Sequence, residues 1–360
     1  MFKALDIWLP AYLRRPSRRL ETGVTHIVLA VCDHFEPFHK AQTAEALQRV
    51  AEWHQKFPSL ACFRDSDGLP PKHSFFYPIE QYDADVVEGI AKICRDTYCE
   101  TEVHLHHDRD TEQGLRKALE QGKADFLKHG LLSRDEAGAT KYSFIHGNWA
   151  LDHSHPEGKG CGVPNELTIL KETGCYADFT LPSAPNRTQT QTVNSIYYAT
   201  EDGAPKSHDT GIPARVGSPS IGDLLLIQGP LGLNWGWRKF GIIPRIENAD
   251  LTGANPPTLS RLLLWLNLHV HVEGRPDWVF IKLHTHGAPS PNREMLLGEP
   301  MHRFHNQLAE FIAGSRGRYA LHYATAREMA NIVHAAEAGK TGNPGDYRDF
   351  RYLTNFQRNF

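Results

Sequence analysis

Apolar residues recur along this chain in two alternating rhythms. The run Val24 to Val31 (Val-Thr-His-Ile-Val-Leu-Ala-Val) is nearly continuous and β-branched, the pattern of a strand buried on both faces of a parallel sheet. Lys72 to Ile79 reads as a second strand. In the third, Val103 and Leu105 alternate with His104 and His106 at period two. Tyr142–Ile145, Cys175–Leu181, Trp278–Leu283 and Tyr319–Tyr323 continue the series. Between them the spacing turns helical. Ala44, Leu47, Val50, Ala51 and His54 mark a helix over Ala41–Phe57, and Val86, Val87, Ile90 and Ile93 mark one over Asp83–Cys94. Leu115, Ala118, Leu119 and Phe126 mark Asp110–Leu127. Further helices fit Glu166–Glu172, Leu259–His271, Met301–Ile312 and Ala326–Ala338. Strand–helix alternation predicts an α/β fold: a (β/α) barrel, distorted or incomplete, of seven or eight strands.

The stretch from 183 to 257 breaks the rhythm. It is rich in Gly, Pro, Asn and Thr and holds two strand-like runs, Ser195–Thr200 and Asp223–Gln228. It reads as a loop-rich insertion in a barrel domain spanning 24–340, with an N-terminal segment at 1–23 and a polar surface tail at 341–360. Asn234-Trp235-Gly236-Trp237 offers either aromatic faces for a sugar or packing within the insertion. The N-terminal segment places Trp8, Leu9, Tyr12 and Leu13 before Arg14, Arg15, Arg18 and Arg19. It fits either contact with an anionic membrane surface or packing on the domain with solvated arginines. No window has the length of a transmembrane segment and no signal peptide is visible, so the expected location is the cytoplasm.

Composition narrows the function classes. Of 360 residues, 40% are apolar and 22% charged, the balance of a globular protein, and a net charge of -3 gives no reason to expect nucleic acid. The six cysteines show no close CxxC spacing and so give no sign of a zinc knuckle, and a chain this size needs no disulfides. The 21 histidines point to metal or acid–base chemistry.

Their placement carries more than their number. Glu102-Val-His-Leu-His-His-Asp-Arg-Asp110 puts His104 and His106 on one face near a strand's end, with Asp110 in the loop beyond. Taken alone, such histidines are as readily core side chains bonded to backbone as ligands. Asp33-His34 and His284-Thr285-His286, however, also follow buried strands. In a parallel barrel the carboxyl ends of all strands meet on one face, where sites form. Three such clusters point to metal-assisted chemistry.

The order of these motifs resembles the polysaccharide deacetylase (NodB-type) superfamily, carbohydrate esterase family four. Asp33-His34 stands where that family has paired aspartates, and Glu102-Val-His-Leu-His106 with Asp110 matches its His-x-x-x-His motif. His146-Gly-Asn-Trp149 takes the third motif's place, Asp178 lies near the fourth, and Leu283-His284 matches the late Leu-x-His. The resemblance spans roughly residues 24 to 335. It departs in three ways: His34 replaces a carboxylate, Asp110 replaces a histidine, and the third motif has no arginine.

The resemblance implies a metal-dependent deacetylase acting on the N-acetyl or O-acyl group of a carbohydrate or related small molecule. The cofactor would be a divalent ion, Zn²⁺ first, with Ni²⁺, Co²⁺, Mn²⁺ or Fe²⁺ also fitting a mixed N/O shell. Asp33 would be the base and His284 the acid. His34, His106 and Asp110 would hold the metal, with His104 in reserve. His146, Asn148, Trp149, Asp178 and His286 would line the substrate cleft or orient the ligands. Two other readings remain open at this stage. One is a glycoside hydrolase using Asp33 and Asp178. The other is a sugar-binding barrel that has lost its chemistry, which the departures favour.

Overall fold

The computed structural model describes residues 2–15, 23–218, 220–356 and 358. The apolar runs form strands β1 (Thr25–His34), β2 (Ser74–Pro78), β3 (Glu100–Leu105), β4 (Thr140–His146), β5 (Cys175–Asp178), β6 (Ile196–Ala199), β7 (Leu224–Ile227), β8 (Trp278–Thr285) and β9 (Tyr319–Tyr323). β1 is the centre. It runs parallel to β8 from His26↔Trp278 to Asp33↔Thr285. On its other side it pairs with β9 over its first half and with β2 at its carboxyl end. β2, β3, β4, β5 and β7 follow in parallel, and β6 closes on β7 antiparallel. The result is a mostly parallel sheet curled into an open half-barrel. β7 lies inside the stretch 183–257, so part of that Gly- and Pro-rich region builds the sheet itself.

Period-two alternation divides the core. Ile27 and Leu29 face helices that include α2 (Thr43–Lys56), α3 (Ala84–Asp96) and α4 (Glu112–Leu127), through Val50, Val86, Ile90, Leu115 and Leu119. Val28, Ala30 and Cys32 face inward with Phe76, Ile145, Trp278 and Phe280. The inner face is filled by a helix, Ala326–Glu337, every residue of which is buried. Its sequence is too polar for that unless each charge is matched. Arg327 donates to both oxygens of Glu100 at 2.8 and 3.0 Å, and Lys72 pairs with Glu328 at 2.7 Å. Thr325 and Glu328 form a capping box at its start.

The polar segment after Gly342 does not simply lie on the surface. Arg348 is buried between Asp65 and Asp67, and Asn331 donates to Arg348 O and Tyr352 O. Matched charges let a hydrophilic sequence close the base of the barrel. At the other terminus, Trp8 and Tyr12 of α1 (Leu5–Arg14) are buried against Ala184, Leu231 and Leu268. Arg18 and Arg19 lie outside the described residues. All six cysteines are free thiols.

Candidate metal centre and cleft

The parallel register carries the polar strand ends to one rim. His284 stands beside Cys32, His34 beside Phe76, His104 beside Pro78, and His146 beside Leu105. His34 continues the inward parity of Val28, Ala30 and Cys32. It is fully buried, and neither ring nitrogen has a hydrogen-bond partner. Two such orphans are costly unless something binds them. The His104 ring meets His34 edge-on at 4.8 Å, and Trp149 and His286 each lie over it at 4.7 Å.

Glu36 completes the group. Its Oε1 lies 3.3 Å from His104 Nε2 and 3.4 Å from His106 Nε2. His34, Glu36 and His104 offer donor atoms within 4.8 Å of one another. The Nδ1 atoms of His104 and His106 are already committed. His104 Nδ1 donates to Ile145 O at 2.9 Å, and His106 Nδ1 bonds Glu80 Oε1 at 2.7 Å. Such outer partners aim the Nε2 lone pairs and make the rings better ligands. Burial opposes ionisation of Glu36, but its contacts with the His104 and His106 rings outweigh it and hold the carboxyl well below the usual carboxylate range. Burial likewise opposes a charged His106, yet Glu36 and Glu80 push that ring up to about 9. Burial, then the neighbouring His286 and His104 rings, keeps His34 itself neutral. A divalent cation fits the donor set of His34, Glu36 and His104, with His106 standing beside it against Glu36.

A cleft opens beside the cluster, lined by Trp149, Asn186, Asn248, Asp250, His284 and His286. Trp149 holds a left-handed backbone, φ 61°, uncommon for a large side chain; that turn lays its indole over His34. Asp250 pairs in register with His284 across a short parallel bridge, and its Oδ1 lies 3.9 Å from His284 Nε2. Burial raises the Asp250 carboxyl to about 6. Burial, then Lys282, pushes His284 well below the ordinary imidazole range, so the ring rests neutral.

His34, His104, His106 and His286 thus come together, with Trp149 and His284 at the edge. The other candidates stand elsewhere. Asp33, one residue from His34, points to the opposite face of β1. It takes the Gly287 N–H at 2.6 Å and bonds His73 Nε2 at 2.8 Å. A side chain at Gly287 would collide with that carboxylate. Asp110 lies 3.2 Å from His107, in a separate group that includes His146. Asn148 donates to His107 O and Gly160 O and so ties down a loop. Asp178 is buried and accepts from Thr180, its carboxyl raised by burial to about 7.

Glu36, Glu80 and Asp250 had no place in the sequence-based site. Glu36 shares the parity of His34, and that was the available signal. Asp250 sits in a strand of two residues, Asp250–Leu251, too short for periodicity to mark it.

No protein-family model matches this chain, and no curated protein matches it. Among solved structures it is similar to a candidate polysaccharide deacetylase from Mycobacterium smegmatis, with a TM-score of 0.43 and 14% identity over 91% of this chain and 96% of that one. At that level of likeness, the chemistry rests on this chain's own side chains.

Proposed function

We propose that the protein is a metal-dependent hydrolase that removes an acyl group, N-acetyl or O-acyl, from a carbohydrate or related small molecule. The observation that carries this is His34: a fully buried imidazole with both nitrogens unpartnered, grouped with His104 and Glu36, beside which His106 stands. His34, Glu36, His104 and His106 would hold the ion. The chemistry such a group supplies is Lewis acidity: a polarised acyl carbonyl and a water made easier to deprotonate.

The remaining work falls to the cleft. Neutral His284 takes a proton from water as oxygen adds to the acyl carbon. Asp250, 3.9 Å away, compensates the imidazolium that forms. The same proton then passes to the leaving nitrogen or oxygen as its bond to carbon breaks. Trp149, Asn186 and Asn248 supply the aromatic face and amide groups that suit a sugar. Asp33 takes a positioning role, because both its oxygens are engaged behind the turn that carries His286. The glycosidase reading needs two carboxylates flanking the cleft. Asp33 and Asp178 are fully enclosed and bonded elsewhere.

The test is hydrolysis of an N-acetylated amino sugar by protein as purified, after chelation, and after Zn²⁺ is restored. Loss and recovery are expected. Turnover indifferent to chelation would overturn the metal role.

A further inference from the structure

We infer that a second, structural Zn²⁺ site lies beside the cleft, built by His107, His146, Cys161 and Glu166. One donor atom from each lies within 4.8 Å of every other, and all four residues are buried or nearly so. His107 Nε2 is 3.0 Å from Glu166 Oε1, and Cys161 Sγ is 3.5 Å from Glu166 Oε2. His146 gives the second observation. Its ring is fully buried, its Nδ1 takes the Asn148 N–H at 3.2 Å, and its Nε2 has no partner and points to Glu166 Oε2 at 3.8 Å. Behind His107, Asp110 Oδ2 stands 3.2 Å from Nδ1, a carboxylate placed beside the ring.

Ligand chemistry selects the ion. One thiolate, one carboxylate and two neutral imidazoles balance a dication, and an N/S/O set of four suits tetrahedral zinc. Bonds of about 2.0–2.3 Å require only modest contraction of the group. The four ligands come from the end of β3, the end of β4, the following loop and the start of the helix Glu166–Glu172. Closing them on one ion pins residues 147–165, the loop that lays Trp149 over His34. This site shares no ligand with the His34 group.

The experiment is elemental analysis and Co²⁺ substitution of the full chain. Two ions per chain are expected, with one lost in Cys161→Ser and a different one lost in His34→Ala. The Co²⁺ protein should show a near-ultraviolet thiolate-to-cobalt band that survives His34→Ala and disappears in Cys161→Ser. A single ion that His34→Ala removes, with no thiolate band in the parent protein, would overturn this site and leave the proposed function standing. No bound ion under any loading would overturn both.

A different observation points to a surface. The hairpin Gly232–Lys239 with Ile243–Glu247 exposes Trp235 (55%), Phe240 (80%) and Ile242 (72%), with Trp237 and Ile243 beside them. Its exposed charges, Arg238, Lys239 and Arg245, are all positive; its one acid, Glu247, is buried against Arg261. Apolar tips ringed by cations suit the interface of an anionic bilayer, and we propose that this hairpin docks there. Its second strand runs through Asn248 to Asp250 in the cleft, so docking would bring the site to the bilayer.

Vesicle flotation of the full chain tests this. Binding is expected to vesicles of phosphatidylcholine with phosphatidylglycerol, and to fall at least tenfold in Phe240→Ser/Ile242→Ser and in Arg238→Glu/Lys239→Glu. Equal binding of parent and variants, or no preference for the anionic lipid, would overturn it. So would a dimer in solution that Phe240→Ser/Ile242→Ser abolishes, since a second copy would then cover the patch.

Discussion

Asp250 and His284 stand side by side in register on two parallel strands, with Oδ1 and Nε2 3.9 Å apart at the edge of the cleft. In the proposed mechanism this pair handles the proton: a carboxyl raised to about 6 beside an imidazole held neutral by burial. Above pH 6 Asp250 is charged and can stabilise an imidazolium; below it, it cannot. Turnover should therefore show an acidic limb near pH 6. Asp250→Asn should remove that limb and lower turnover about 10²-fold, the low end for an acid–base group. Stability should move the other way. The folded state holds the Asp250 proton from its unfolded value up to about 6, so stability falls as pH rises through that window and stays lowered above it. Melting curves should find Asp250→Asn more stable than the parent at pH 7.5 and no different near pH 3.5.

His34 sets function against stability in the same way. Its two buried, unpartnered nitrogens destabilise the metal-free fold by about 1–3 kcal/mol each for desolvation left uncompensated. His34→Leu should raise the melting temperature of chelated protein and abolish recovery by Zn²⁺. A variant that still recovers its full activity would remove His34 from the ligand set.

Much of the barrel was legible because parallel strands are buried on both faces and read as apolar runs. The rim was legible because polar residues at their ends interrupt those runs. Side-chain direction was harder to read. Asp33 and His34 are neighbours in a motif, yet the pleat sends one to Gly287 and His73 and the other to His104. His106 and His107, just past the end of β3, also part, taking Glu36 and Glu166 as partners. The buried helix Ala326–Glu337 could not be recognised as a filling for the barrel, since its charges are neutralised by Glu100 and Lys72, far away in the chain. Asp250 reaches its site from a strand of two residues and Cys161 from a loop, and neither carries a readable periodicity.

Asp33→Asn distinguishes a positioning residue from a proton acceptor. Asparagine can still accept the Gly287 N–H, and His73 can change tautomer to suit the amide. A loss under tenfold in kcat, with metal content unchanged, is expected for a group that steadies the turn bearing His286. A proton acceptor would instead lose on the order of 10²–10⁴. That larger loss, with metal retained, would return Asp33 to the chemistry.

His284 can be resolved by the leaving group. If one ring takes the water's proton and later delivers it, His284→Ala removes both services from an amide. An activated aryl acetate needs only the first, because its phenolate departs without a proton. General acid–base groups contribute on the order of 10²–10⁴ each way. The loss on an N-acetylated amino sugar should thus exceed the loss on the aryl acetate by at least tenfold. Both should be measured with metal content held equal, since His284 lies 6.2 Å from the His34 ring and could disturb it. Equal losses on the two substrates would mean that His284 serves as base alone, or only shapes the cleft. His284→Gln separates these: it keeps a polar side chain without proton transfer, so recovery of aryl acetate turnover in Gln over Ala would mark a shaping role, and no recovery would mark the base.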